Sequence, residues 1–416
     1  MAPATSIRIH PQKTTPLEQE PDRVPWCPTG RYLAERPIFT LDPHFHSGAY
    51  YVQEASSMFL AQLASLFKEQ NIKRVLDLCA APGGKATLLA EMLPQDGFLI
   101  ANETIRSRVP ALCDNMAKWG YAHVMVTNND AKDFARLPHY FDMVLVDAPC
   151  SGEGMFRKDP AAQEQWSPEV VELCAQRQRR IVADVWEALR PGGYLIYSTC
   201  TFNRTENENN VAWICAHLEA QKCAIQIDPS WGILEQEGCY RFMPDRLRGE
   251  GFFFALLQKK VGADYMSAHS KTKKGTPLVQ PYPPSTWIRE GYSLFVKNDV
   301  IQALPTATAP EMLEQVGHLH GVQGGVTVAR KKGNDWAPEP DLALSPIMRA
   351  DAFPVVAVEL STARRYLARE VFALPDAPMG YVVVQYQGSR LGFAKNLGYR
   401  INNLYPSAKR IRMGIT

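Results

Sequence analysis

Between residues 74 and 258 short apolar runs alternate with longer amphipathic stretches. Val75-Leu76-Asp77-Leu78-Cys79, Phe98 to Asn102, Val124 to Thr127, Met143 to Val146, Tyr194 to Ser198, Ala224 to Ile227 and Phe252 to Leu257 each read as a strand. Helices fill the gaps: Gly83 to Leu93, Arg106 to Trp119 closed by Gly120, a long one from the cap Ser167 and Pro168 to about Leu189, and Glu206 to Leu218. Strands alternating with helices of this length predict an α/β fold with a doubly wound, mostly parallel, seven-stranded Rossmann-like sheet.

The flanks follow other patterns. Residues 1–47 form a short N-terminal segment in which Ser6-Ile7-Arg8-Ile9-His10 alternates like an edge strand. The main domain is expected over 48–260, entered through an amphipathic helix from Phe59 to Phe67. Residues 261–284, with Lys271, Lys273, Lys274 and prolines around Tyr282, read as a linker. From 285 to 416, short apolar runs (Tyr292 to Val296, Gly325 to Ala329, Pro354 to Val358, Tyr381 to Gln385) separated by Gly, Pro and Asn suggest a smaller, mostly β domain.

Composition narrows the class. Of 416 residues 46% are hydrophobic and 21% charged, enough for a large core. No apolar run approaches the ~18–20 residues that span a bilayer, so no membrane partner is expected. Nine cysteines include no C-x-x-C pair, which points to reduced thiols in a cytoplasmic, monomeric protein without a metal. His44 and His46 form an H-x-H pair without further ligands nearby and read as packing or surface residues. Net charge is only +2, yet 15 Lys and Arg face 11 Asp and Glu between Pro281 and Thr416, a net of +4 gathered in Arg330-Lys331-Lys332 and Lys409-Arg410-Ile411-Arg412.

Candidate chemistry lies just past the strand ends, where open α/β sheets bind ligands. Cys150 follows Asp147 in Asp147-Ala148-Pro149-Cys150-Ser151-Gly152, and Cys200 ends Tyr197-Ser198-Thr199-Cys200. A thiolate is a nucleophile, and Lys85 is a candidate cation to lower a thiol's pKa. The loop Cys79-Ala80-Ala81-Pro82-Gly83-Gly84-Lys85 lets backbone approach a ligand closely, but it matches neither a P-loop nor G-x-G-x-x-G. Glu103 after the second strand suits both ribose hydroxyls of a nucleoside, Asp130 after the third an adenine amino group, and Asp147 the amine end of the same ligand. A loop and acids at successive strand ends suit S-adenosyl-L-methionine. The other cysteines, Cys27, Cys113, Cys174, Cys215, Cys223 and Cys239, read as inert core residues.

These stretches resemble the Sun-type RNA cytosine-C5 methyltransferases. The resemblance rests on Tyr51-Val-Gln-Glu-Ala-Ser-Ser-Met58, Cys79 to Lys85, Asp147 to Gly154, Arg157-Lys158-Asp159, and Tyr197 to Thr201 followed by Glu206-Asn-Glu208, and it covers roughly residues 45–258. It implies a methyltransferase sheet, Cys200 as nucleophile on cytosine C6, Cys150 as the residue that releases product, and Cys79 to Lys85, Glu103, Asp130 and Asp147 around the donor. Asp147 suits stabilising a proton on cytosine N3, as a general acid. The tail, in Leu391-Gly-Phe-Ala-Lys395 and Asn402-Asn-Leu-Tyr-Pro406, is similar to the PUA-like RNA-binding end of the RsmF-like branch, which implies small-subunit rRNA as partner. That branch places a helical segment before the first strand, whereas this chain begins almost on Ser6. The same chemistry on tRNA, or a non-catalytic RNA-binding assembly factor, are the competing readings of the residues.

If the tail clusters contact phosphates, each contact adds about 0.7–0.9 to the slope of log affinity against log salt. Removing the charge of Lys331 or Arg410 is therefore expected to flatten that slope in RNA-binding titrations; a slope unchanged from the parent in both variants would count against the tail as an RNA clamp.

Overall fold

Five parallel strands form the centre of the molecule. In chain order the strands begin with β1 (Thr5–Ile9), β2 (Gly30–Leu33), β3 (Tyr50–Val52), β4 (Arg74–Asp77), β5 (Phe98–Asn102), β6 (Val124–Thr127), β7 (Phe141–Asp147) and β8 (Leu189–Thr199). They continue with β9 (Ala220–Cys223), β10 (Leu234–Gln236), β11 (Cys239–Phe242), β12 (Phe252–Lys259), β13 (Tyr292–Lys297), β14 (Val300–Pro305) and β15 (Gly321–Gly324). The last six are β16 (Val326–Lys332), β17 (Asp335–Pro338), β18 (Val355–Ala357), β19 (Gly380–Tyr386), β20 (Ser389–Asn396) and β21 (Ile401–Asn403). This computed structural model describes residues 4–157, 163, 164, 166–261 and 283–414. Lys158 and Asp159 of the Arg157-Lys-Asp159 motif, and the expected linker from 262 to 282, lie outside the described residues.

The central sheet has the order β10-β11-β12-β8-β7-β4-β5-β6-β15, with β9 also paired to β12. β4 runs parallel to β5 and β7, β5 to β6, and β7 to β8; β12 is antiparallel to β8. The order reverses at β4, so the carboxyl ends of β4 and β7 flank the switch point. Both faces are apolar because helices cover both: the helix Gly84–Met92 lies on one side, the helix Pro168–Trp186 on the other. Ser167 caps the latter through Val170 N at 3.3 Å, as its position before Pro168 predicts. The helix Val109–Trp119 ends on Gly120 in the left-handed region, also as expected.

The structure departs from the sequence reading in four places. The expected strand Ala224 to Ile227 forms instead at β9, because the Tyr240 hydroxyl takes up the backbone of Ile225, accepting from its N at 2.5 Å and donating to its O at 2.9 Å. The expected helix Phe59 to Phe67 is a 3-10 turn over Ser56–Leu63 running into the α-helix Ala64–Glu69. Ser6 to Ile9 is no edge strand: β1 lies between β2 and β3. Finally, β15 pairs antiparallel with β6, so a segment of the C-terminal half completes the central sheet.

The N-terminal sheet β2-β1-β3 crosses residue 47 and packs against the donor-side helices. Arg8 is fully buried, yet every polar atom is used: Nε donates to Gln53 Oε1 at 2.8 Å, and the guanidinium reaches Glu91, Thr87 and the Gly84 carbonyl, stacked 4.6 Å from the Trp119 ring centroid. That buried charge explains why a polar residue alternates in a central strand.

C-terminal strands form two sheets, β13-β14-β16-β17 and β18-β19-β20-β21. The second is tied back to the N-terminal segment by His44 Nδ1 to Ser389 Oγ at 3.0 Å and His46 Nδ1 to Tyr405 Oη at 2.9 Å. Burial lowers His46 to about 4, so it serves as a neutral packing residue. No described helix is long and apolar enough to cross a membrane.

Arg8→Met leaves Glu91 without its counter-charge and is expected to cost about 3 kcal/mol. A urea titration reads this as a lower midpoint; an unchanged midpoint would mean the ion pair does not anchor the N-terminal sheet.

Candidate active site

Parallel pairing of β7 with β8 sets Val146 opposite Tyr197 and Asp147 opposite Ser198. The two chains therefore leave the sheet at one level, Cys150 three residues past the first strand and Cys200 two past the Ser198 register point. Their sulfurs lie 3.1 Å apart. Carboxylates exchanged between the loops hold them there. Glu206, beyond Cys200, is fully buried and accepts from Ser151 N at 3.1 Å, Gln178 Nε2 at 2.6 Å and Asn203 Nδ2 at 2.8 Å. Glu153, beyond Cys150, reaches the other way: its Oε2 accepts from Thr201 Oγ1 at 2.8 Å, Phe202 N at 2.7 Å and Asn203 N at 2.9 Å. Gly154 completes the contact, donating to Cys200 O at 2.9 Å; a Cβ there would come within 2.7 Å of that oxygen, so only glycine fits.

The two thiols are electrostatically unequal. The hydrogen bond from Cys150 lowers the pKa of Cys200 despite its burial, and Lys85 adds to the effect. The same hydrogen bond, followed by burial, pushes Cys150 well above an ordinary thiol. The hydrogen bond thus favours ionisation of Cys200 over that of Cys150. Lys85 Nζ stands 2.9 Å from Asp147 Oδ2 and 5.2 Å from the Phe252 ring centroid. Burial alone would lower the Lys85 pKa, but the Asp147 carboxylate outweighs it and keeps the ammonium charged. Asp147 Oδ1 accepts from Ser198 Oγ at 2.7 Å. Both oxygens of this carboxylate are thus engaged within the protein.

Most of the sequence-selected residues line one cleft of about 380 Å³, whereas Gly83, Glu103, Asp130 and Cys150 stand behind or beside its walls. Its walls include Cys79 to Pro82, Gly84, Lys85, Asp147 and Cys200. Gly83 turns the loop into the helix at φ +121°, where a side chain would be strained and would press on Met116. Burial raises the pKa of Cys79, which keeps it a thiol. Glu103 is buried at the end of β5, its Oε1 accepting from Ile105 N at 2.8 Å and its Oε2 lying 3.2 Å from Arg108 Nη1. Asp130 stands at the neighbouring strand end but outside the cleft walls; it caps the turn Ala131–Arg136 through Lys132 N at 3.2 Å.

Asp77 is the residue the strand pattern hid. It ends β4, is fully buried and lines the cleft; among the described residues no side chain hydrogen-bonds its carboxyl oxygens, and only the Cys79 backbone amide lies near enough to favour its charge. Burial, then the nearby Asp147 charge, raises its pKa well above the carboxylate range. An acid inside the apolar run Val75 to Leu78 was the available signal. Among the described residues no three His, Cys, Asp or Glu side chains are grouped to hold a metal ion.

The model of the family described as 16S rRNA methyltransferase RsmB/F matches residues 64–258. Models of the N-terminal domain of 16S rRNA methyltransferase RsmF and of the methyltransferase RsmF PUA domain match residues 1–55 and 353–411. The ribosomal RNA small subunit methyltransferase F of Cronobacter sakazakii is 34% identical, over 92% of this chain and 83% of that one. Its namesake from Escherichia coli is 33% identical, over 97% and 87%. A crystal structure of a methyltransferase homolog protein from Pyrococcus horikoshii is 26% identical with a TM-score of 0.52, covering 62% of this chain and 87% of that one.

Proposed function

This chain belongs to the ribosomal RNA small subunit methyltransferase F family, and from that premise we propose that it methylates C5 of one cytosine in small-subunit (16S) rRNA, as a cytoplasmic monomer, through a covalent bond between Cys200 and cytosine C6. The single observation carrying this reading is the pair of sulfurs 3.1 Å apart beside the Lys85–Asp147 ion pair. RNA is the partner, and the PUA domain is its second point of attachment.

S-adenosyl-L-methionine fits the cleft on the evidence of Asp77, whose buried carboxyl, without a side-chain partner among the described residues, is an acceptor waiting for a cationic donor group. Asp77 would take the ligand's ammonium. The Cys79 to Lys85 loop, with Ala80, Ala81, Pro82, Gly83 and Gly84, would enclose its middle, Glu103 its ribose and Asp130 its adenine. When bound, it supplies an electrophilic methyl group on sulfur.

Chemistry on the protein side follows from the thiol pair. The Cys200 thiolate adds to C6, the π pair of C5–C6 shifts to C4–C5 and that of C4–N3 to N3, and N3 takes a proton delivered by Asp147, which draws it from solvent and recovers it when the ring is restored. That makes C5 the nucleophile. After methylation the C5 proton must leave before the C6–S bond can break. Cys150 lies beside the bond. Its proton is retained first of all by the hydrogen bond to Cys200, and that restraint ends once Cys200 is bonded to carbon. Cys150 then gives its own proton to solvent, takes the C5 proton, and Cys200 departs as thiolate.

Cys200→Ser is expected to abolish methyl transfer while donor affinity stays within about twofold, since Cys200 bears on the base; normal turnover would remove it from the role. Cys150→Ala is expected to accumulate a protein–RNA adduct visible on denaturing gels with donor present, and a clean gel would end the release assignment. Bisulfite sequencing of rRNA from a strain lacking the gene identifies the cytosine that loses its mark.

A further inference from the structure

A second cavity shares a wall with the cleft. It measures about 200 Å³, and Tyr51, Val52 and Pro82 line both. Its other walls include Phe45, Lys118 and Trp119. Three separate parts of the chain build it: the turn from the helix Pro43–Ser47 into β3, the end of the helix Val109–Trp119, and the donor loop. Gly48 makes the approach possible, since a Cβ there would stand 2.4 Å from the Lys118 carbonyl. Asn115 pins the shared wall, donating from Nδ2 to Pro82 O at 2.8 Å and to Tyr51 Oη at 3.3 Å.

Lys118 has no carboxylate partner among the described residues. Its Nζ lies 4.4 Å from the Phe45 ring centroid, and the nearby Asp114 is engaged by Lys409 at 2.8 Å. Burial, with a contribution from Lys409, pulls Lys118 down to about 8. The basic line continues away from the cleft. Lys13 donates to Ser47 O at 2.9 Å and to the Lys118 carbonyl, and Arg390 keeps a buried Nη1 without a hydrogen-bond acceptor. A partly buried tyrosine and phenylalanine beside a lysine without a carboxylate partner among the described residues is the chemistry that holds a nucleotide: ring faces stack on the base and the ammonium meets the phosphate.

We infer that this cavity takes the nucleotide adjoining the target cytosine, its base against Tyr51 and Phe45 and its phosphate on Lys118. The inference rests on the RNA reading above. For Cys200 to reach C6 the target base must leave its stack, so its neighbour loses a stacking partner and gains from an aromatic surface. The shared wall puts that surface one cavity away from the thiols. It also ties RNA binding to the donor loop, because Asn115 joins Tyr51 to Pro82.

The test uses the full chain with an unmodified small-subunit rRNA transcript, measuring methyl transfer, donor affinity and RNA affinity across a salt series. For Lys118→Gln, KM for RNA is expected to rise about tenfold. The salt slope of RNA affinity falls by about 0.7–0.9, with kcat and donor affinity as in the parent. Lys118→Arg restores both KM and slope. Lys118→Met, which keeps the apolar stem over Phe45, carries the same expectation should the Gln variant fold poorly. Parental KM and slope in the neutral variants overturn the subsite while leaving the methyltransferase reading intact. A fall in kcat or donor affinity with unchanged salt slope also overturns it, since Lys118 would then act only through the donor loop. A parent protein that neither binds nor methylates the transcript overturns the RNA reading, and the subsite with it.

Discussion

Two sulfur atoms can share a proton only while two loops stay in register, and the loops are held by carboxylates that each has lent to the other. Glu206 satisfies backbone and side-chain donors around Ser151, and Glu153 satisfies those around Phe202 and Asn203. A buried carboxylate without its donors is costly, so each acid punishes any movement of the opposite loop. The β7–β8 pairing sets the height at which the loops leave the sheet; the exchanged acids set the remaining distance. Tyr197 extends the brace into the core, its hydroxyl lying 2.6 Å from Glu206 O, to which it donates, and 2.9 Å from Gln178 Oε1. Rigid support of this kind suits a reaction whose nucleophile and whose final base must lie on the same ring.

Charge in the cleft is distributed with similar economy. Among the described residues Lys85 is the ammonium that bears on the thiols, and Asp147 holds it in position while accepting from Ser198. Asp77 is the opposite case, an acid whose charge is disfavoured by burial and which has no side-chain partner among the described residues. Such a group destabilises the empty protein and is relieved only by a ligand that brings donors, so part of the folding energy is held back until binding.

Much of this was legible because function sits at the ends of apolar runs. Cys79, Glu103, Asp147, Cys150 and Cys200 each follow such a run, and four of the five central strands extend at most three residues beyond their expected limits. What escaped had no local signature. Gly321-Val322-Gln323-Gly324 has neither alternation nor bulk, and it becomes a strand only because β6 offers it an edge. Arg8 alternates like a solvent-facing residue but is neutralised by Glu91 from another part of the chain. Ala224 to Ile227 has the right alternation, yet one tyrosine hydroxyl satisfies its backbone in place of a neighbouring strand. In each case a distant partner overrode the local pattern.

The strand β15 also bears on how the protein is made. A nascent chain folds as it emerges, and the parallel strands of the centre are complete long before Gly321 has been translated. Until then β6 offers a bare row of backbone donors and acceptors, the kind of rim on which neighbouring chains aggregate. The C-terminal half therefore has an earlier duty, as a late seal on the methyltransferase half. Translation cut short before that point would release a polypeptide with its methyl-transfer machinery assembled and its most adhesive border uncovered.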